Sequence, residues 1–308
     1  MSTPAPIQLV NRSTGQLFTE KVLGEGWMRW LYQTSPGQLA LHALVKRSLL
    51  SRYFGWRMNW KYSAQKVLPF IVEHNLDVDE FAKSPMLYRT FNEFFARALK
   101  PSARPIAAGD DVAILPADGR HLAFQNFDEV EGFYVKGEKF RISTLLDEDK
   151  YPESQRELLA RYRGGSMLIS RLAPVDYHRF HFPAAGTPGA ARLIEGQLFS
   201  VSPIALRRNV RYLIQNKRVL TALDTERFGK VMIIEVGATM VGSIYQSYVP
   251  GRAVAKGEEK GFFKFGGSCV ITLWEPGRIR FDQDLVDNTA KGLETYAKMG
   301  DRLGQAPA

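Results

Sequence analysis

Only one cysteine, Cys269, occurs in 308 residues. A lone thiol forms no intrachain disulfide and supplies no cysteine cluster for zinc, so nothing calls for an oxidising compartment. Long apolar runs are scarce too. None approaches the ~18–20 residues that span a bilayer, and the richest, Val231 to Ile244, is fourteen long and interrupted by Glu235. The opening Met-Ser-Thr-Pro-Ala-Pro lacks the basic and apolar regions of a secretory signal. There is no HExxH spacing, no Walker loop, no nucleic-acid motif of defined spacing, no internal repeat and no low-complexity tract. The expectation is a chain without signal peptide or transmembrane helix, which meets a membrane only peripherally, from the cytoplasmic face.

What is present is ordinary globular composition, 45% hydrophobic and 24% charged, enough to bury a sizeable core. Forty-one Lys+Arg against thirty-two Asp+Glu leave +9, which points to an anionic partner. The excess is concentrated. Between Lys21 and Lys66, eight basic residues against the single acidic Glu25 leave +7, beside four of the five tryptophans: Trp27, Trp30, Trp56 and Trp60. Taken alone, this segment fits first a helical subdomain with core aromatics. A bilayer surface, where such rings settle at the headgroup level, comes second, and stacked bases third.

Helical spacing predicts helices over about 25–34, onward to about Leu50 after Ser35-Pro36-Gly37, and over 57–74, where Pro69 should kink or end the last. Thr90-Phe91-Asn92-Glu93 has capping-box spacing and should open a helix through Leu99. Short β-type runs dominate after Pro105: Val112–Leu115, His121–Phe124, Gly132–Val135, Met167–Leu172, Arg218–Leu223, Val231–Val236, Thr239–Tyr245 and Cys269–Leu273. One helix, around Glu153–Tyr162, should interrupt them. Residues 1–20 and the tail from Gly300 to Ala308 lack periodicity and are expected to be loosely held. The predicted class is α+β: a tail and helical, basic, Trp-rich region over 1–105, then a β-rich catalytic domain of mostly antiparallel short strands over 106–299.

Three places carry candidate chemistry. His178 and His181 lie in Asp176-Tyr177-His178-Arg179-Phe180-His181; a strand would put them on opposite faces, whereas a turn lets both approach one cleft. Asp118, in Pro116-Ala117-Asp118-Gly119, is a surface turn or a carboxylate held at a strand end to orient an imidazole. Ser268 follows Gly266-Gly267 just before a β-type run; the turn is common, and Val270 rules out a Gly-x-Ser-x-Gly elbow. Asp, His and Ser together supply the parts of a nucleophile-activating relay. Cys269 reads as a small buried hydrophobe.

These motifs resemble phosphatidylserine decarboxylases, the pyruvoyl-dependent enzymes. The resemblance runs from about Thr90 to Pro276. It includes Thr90-Phe91-Asn92-Glu93-Phe94-Phe95-x-Arg97, Arg104-Pro105-Ile106, Pro116-Ala117-Asp118-Gly119 and the Asp176–His181 stretch. Gly237-Ala238-Thr239-Met240-Val241-Gly242-Ser243-Ile244, Lys256-Gly257-Glu258-Glu259 and Gly266-Gly267-Ser268 follow in the family's order. The one departure is Cys269, where a hydroxyl residue is common.

The resemblance implies a precursor that cuts itself between Gly267 and Ser268. Asp118 would orient His181, and His181 would take the Ser268 proton so that the oxygen attacks the Gly267 carbonyl. β-Elimination from the ester, then hydrolysis, would turn Ser268 into a pyruvoyl group and release ammonia. Residues 1–267 would become the β subunit and 268–308 the α subunit. The pyruvoyl ketone would form a Schiff base with the substrate amine and act as electron sink, in place of PLP and without a metal. His178 would act in the decarboxylation step.

By the same resemblance the partners are phosphatidylserine in an anionic membrane and the chain's own two subunits, with a homodimer left open and no nucleic acid. Arg207, Arg208, Arg211, Lys217 and Arg218 form a second basic cluster, read as headgroup-phosphate ligands or as solvated charge. The alternatives are a relative acting on a soluble amino acid, a Ser/His/Asp hydrolase, and a lipid-binding module without activity.

Overall fold

A computed structural model of the chain describes residues 6–20, 22, 24–41, 53, 55–126, 142–147, 156, 160–206, 209, 211–238, 244–264, 266 and 268–307. The strands are β1 (Gln8–Asn11), β2 (Leu17–Thr19), β3 (Val112–Ile114), β4 (Gly119–Phe124), β5 (Ser166–Leu172), β6 (Arg179–His181), β7 (Thr187–Pro188) and β8 (Arg192–Ile194). They continue with β9 (Arg218–Thr225), β10 (Gly229–Gly237), β11 (Ile244–Gln246), β12 (Glu259–Phe263), β13 (Ser268–Trp274), β14 (Arg280–Phe281), β15 (Glu294–Ala297) and β16 (Arg302–Gln305).

Ten of them form one sheet in the order β2-β1-β15-β4-β5-β13-β10-β9-β7, with β8 also on β9. Every neighbouring pair is antiparallel except β1 with β15. Two three-stranded sheets, β11-β12-β6 and β14-β16-β3, pack nearby. Helices gather toward the amino terminus and strands follow, the α+β arrangement expected.

The central strands are nearly continuous in apolar character because both faces of the sheet are covered. On β10, Met232, Ile234 and Val236 join one core, which also takes in Leu31, Leu145, Ile204 and Leu213 from helical segments. Val231 and Ile233 join the other, against Phe180, Phe263 and Leu303 of the small sheets. Residue parity therefore decides everything on β13: Cys269 and Ile271 face the helical side, and Val270 faces the small sheets. Ser268, at even parity, shares the face of Val270.

Several local expectations are corrected. Both ends of the chain are held: β1 pairs with β15, and β16 pairs with β3 and β14. Ser35-Pro36-Gly37 opens the helix Ser35–Ala40, because Thr34 accepts the Gly37 N–H and Pro36 sits in the first turn. The segment expected as one helix over 57–74 is instead a 3-10 helix, Lys61–Lys66, that passes into the α-helix Val67–His74; Pro69 lies in the first turn of the latter, where its missing N–H costs nothing. Thr90 does cap the Phe91–Phe95 helix by accepting the Glu93 N–H at 3.1 Å, but the helix ends before Leu99. The predicted strand at 132–135 and most of the helix at 153–162 lie outside the described residues, as do 42–50 and 239–243.

Candidate active site

Ser268 is the first residue of β13, the strand enclosed by β5 and β10; it pairs with Leu172 on one side and Gly237 on the other. Its side chain is completely buried, and its hydroxyl has no hydrogen-bond partner among the described residues. A buried hydroxyl left unpaired costs about 1–3 kcal/mol. Two residues earlier, Gly266 has φ +132°, a conformation that a side chain would resist. Gly267, whose carbonyl the sequence singled out, lies outside the described residues.

The two histidines are delivered by the turn that precedes β6. Asp176 holds this turn: its carboxylate receives the Arg120 guanidinium and the Ala173 N–H. His178 then donates from Nδ1 to the Asp176 carbonyl at 3.0 Å, and its ring lies 3.9 Å from that of Phe95. Burial brings the His178 imidazole down to about 3, with Gly266 among its neighbours. A neutral ring that donates from Nδ1 leaves Nε2 with a lone pair, and that nitrogen is buried without a partner among the described residues. His181 differs. Its Nδ1 donates to the Gly257 carbonyl at 2.9 Å and its Nε2 meets the Tyr177 hydroxyl at 3.2 Å, while burial lowers its affinity for a proton.

Asp118 is a buried strand-end carboxylate and not a surface turn. Gly119 follows it because β4 approaches β5 so closely that a Cβ would stand 2.6 Å from the Arg171 carbonyl oxygen. The carboxylate receives Arg104 Nε at 2.8 Å and the Met299 N–H at 2.8 Å. Burial pushes the Asp118 carboxyl up against the pull of both donors. Asp118 makes no hydrogen bond to His181 among the described residues, nor does His181 bond Ser268. The elements are nonetheless neighbours: the His181 N–H donates to the Pro116 carbonyl at 2.8 Å, and the Arg104 guanidinium lies 6.0 Å from the centre of the Tyr177 ring, whose hydroxyl reaches His181. Sequence reasoning gave no role to Arg104 or Tyr177. Arg104 was visible only as part of a motif, and Tyr177 only as a neighbour of the histidines.

Cys269 points into the helical-side core and is fully buried; burial pushes its thiol up, so it is not a competing nucleophile. In the second basic cluster, Arg218 is corrected. Its guanidinium is buried and donates to the carbonyls of Thr144, Leu145, Ile214 and Asn216, so it ties helical segments together and takes no headgroup. Arg207 and Arg208 lie outside the described residues. No group of three or more His, Cys, Asp or Glu is placed to hold a metal among the described residues.

The four tryptophans of the basic segment are not core, whereas Trp274 on β13 is. Trp27 is 58% exposed and stacks on Trp30; Trp56 is 53% exposed and meets Trp60 edge-on. No helix among the described residues is long and apolar enough to cross a membrane.

The family model for phosphatidylserine decarboxylase matches residues 91–305, which hold every site residue above. The chain is 43% identical over 298 residues to the phosphatidylserine decarboxylase proenzyme of Fusobacterium nucleatum, covering 97% of each chain. It is 44% identical to that of Chlamydia muridarum, covering 96% of each, and 44% identical to that of Chlamydia caviae, covering 97% of this chain and 98% of the other. The chain belongs to the phosphatidylserine decarboxylase family.

Proposed function

We propose that the chain is the precursor of a carboxy-lyase that cuts itself between Gly267 and Ser268 and converts phosphatidylserine to phosphatidylethanolamine at a membrane surface. The observation that carries this is the buried, unpartnered Ser268 hydroxyl, two residues after the strained Gly266. A hydroxyl held dry and uncommitted is ready to attack a neighbouring carbonyl, and burial excludes the water that would compete with it. The relatives' name, proenzyme, supports a precursor that is cut.

A pyruvoyl group suits this position. It is smaller than the serine it replaces and carries no charge, so the neighbours that bury Ser268 accept it without a counter-ion. When formed, it supplies the electron sink that decarboxylation requires. The chain's own residues supply the rest: Asp176 fixes the His178 ring, and the His178 Nε2 is free to carry a proton beside residue 266. The exposed tryptophans and the basic excess around them support docking on an anionic bilayer.

The resemblance assigns self-cleavage to His181, oriented by Asp118, and decarboxylation to His178. One observation favours a second assignment of the base: His178 faces the Gly266 backbone and its Nε2 makes no well-formed hydrogen bond, whereas both His181 nitrogens are engaged. Intact-mass measurement separates them. The wild-type chain should yield a fragment ending at Gly267 and a ketone-bearing small chain, with carbon dioxide released from phosphatidylserine, and Ser268→Ala should stay whole. On the first assignment His181→Ala stays whole and His178→Ala is cut but turns over poorly; on the second, His178→Ala stays whole. A wild-type chain that is active while uncut would overturn the mechanism, and one that reacts with a fluorophosphonate would point to a hydrolase.

A further inference from the structure

Buried arginines in this fold are matched to acceptors. Arg104, Arg120 and Arg171 each meet a carboxylate, and Arg218 meets four carbonyls. Arg97 is the departure. Only 4% exposed, it spends Nη2 on the carbonyls of Val175 and Asp176, while Nε and Nη1 are buried with no partner among the described residues. Its charge rests on the rings of Phe81 and Phe94, at 5.2 and 5.1 Å. An unpaired buried cation is costly, and burial here lowers its hold on the proton.

Arg97 is one of the residues that line a cavity of about 640 Å³. Tyr88 lines it as well, 4% exposed, with a hydroxyl that also lacks a partner. Lys264 adds positive charge to the wall; Lys83 there is paired with Glu93, the one acidic lining residue, which also takes the Arg89 N–H, and Arg179 is paired with Glu259. The wall is fixed in place: Arg179 donates to the carbonyls of Ala96 and Arg97. The cavity adjoins the reacting end of the fold, since Arg97 and His178 donate to the same Asp176 carbonyl. On its outer side it reaches Asn59, next to the exposed Trp60.

Resting on the function proposed above, we infer that Arg97 and Tyr88 form the subsite that binds the phosphodiester of the substrate head group, with Lys264 adding positive charge to the wall. Nη2 is shared by both edges of the guanidinium and is taken by the two carbonyls, so Nε and Nη1, which point to different sides of the group, each offer a separate charge-assisted hydrogen bond to an anion. The substrate offers two anions, a phosphodiester and a carboxylate. Pairing the carboxylate with Arg97 would stabilise a charge that disappears as carbon dioxide leaves, which opposes the reaction. The phosphodiester keeps its charge throughout, so holding it anchors the molecule without penalty to the chemical step.

The test titrates the full-length Ser268→Ala chain by calorimetry with glycerophosphoserine, glycerophosphoethanolamine, serine methyl ester and inorganic phosphate. This variant performs no decarboxylation, so the result is independent of whether the wild-type chain releases carbon dioxide. Both diesters should bind within about threefold of each other and at least about tenfold tighter than the methyl ester or inorganic phosphate. Adding Arg97→Lys, which keeps the charge but loses the Nε and Nη1 donors, should weaken both diesters about tenfold, and Tyr88→Phe about threefold. Equal binding of the methyl ester and glycerophosphoserine would overturn the proposal whichever variants fold, as would tight binding of inorganic phosphate alone, binding of neither diester, or unchanged affinity in a folded Arg97→Lys chain.

Discussion

His121 and His178 are sealed from water, and burial holds both imidazoles down to about 3 from an ordinary 6.5. Between those values the unfolded chain takes up protons that the folded chain refuses, so stability falls as pH drops through that window and is fully present above it. At pH 5 each histidine should cost about 2 kcal/mol. His121 is the cleaner probe, because it serves the sheet: its ring nitrogens meet Ser170 Oγ at 3.0 Å and the Ala297 carbonyl at 3.3 Å. His121→Asn should therefore show a smaller loss of urea-unfolding free energy between pH 7 and pH 5 than the wild-type chain, by about 2 kcal/mol. Identical losses would remove His121 from the account. At this scale Ser268, Asp118 and both histidines stand out in the sequence through the family resemblance, since Gly-Gly-Ser, Asp-Gly and His-x-x-His are each common by themselves. Arg104 is opaque, since its partner lies 14 residues away across a turn. Arg97 and Tyr88 are opaque for another reason: what distinguishes them is a partner they lack, and a string of letters does not display that.

Glu235 looks in the sequence like an interruption of an apolar strand. It is completely buried on β10, and the equally buried Lys260 of β12 reaches it at 2.9 Å. Gln246 of β11 closes the group, donating to Glu235 Oε2 at 2.8 Å and accepting from Lys260 at 2.7 Å. Burial pushes the glutamate up and the lysine down, so neither charge is tolerable without the other. Lys260→Met alone should destabilise the chain by about 3–5 kcal/mol in denaturant titration, while Glu235→Leu with Lys260→Met should recover most of it. If the double variant is as weak as the single one, the pair is not an isolated unit. The strands that join it follow from periodicity only in part. β5, β9, β10 and β13 are visible as apolar runs because both their faces are covered. β1 and β16 are not, because they are short, half polar, and ordered only by partners such as β15 and β3 far along the chain.

The whole chain carries +9, most of it beside tryptophans that the fold leaves outside. Composition alone could not separate an aromatic core from an aromatic surface; exposure does. Replacing both Trp27 and Trp56 by Ser should lower binding to phosphatidylserine-containing vesicles at least about tenfold in sedimentation, with circular dichroism unchanged. Unaltered binding would place the docking surface elsewhere. One feature of the sheet reaches further. β13 begins at Ser268 and lies between β5 and β10, which both precede the Gly267-Ser268 bond. Breaking that bond frees one end of a strand but none of its rungs. Before the cut, folding is a first-order event within one molecule. After it, the same sheet has to be rebuilt by two pieces that must find each other, at a rate that depends on dilution. On the proposed cut, maturation would convert a fold that can be regained after unfolding into one kept by the slowness of its own unraveling.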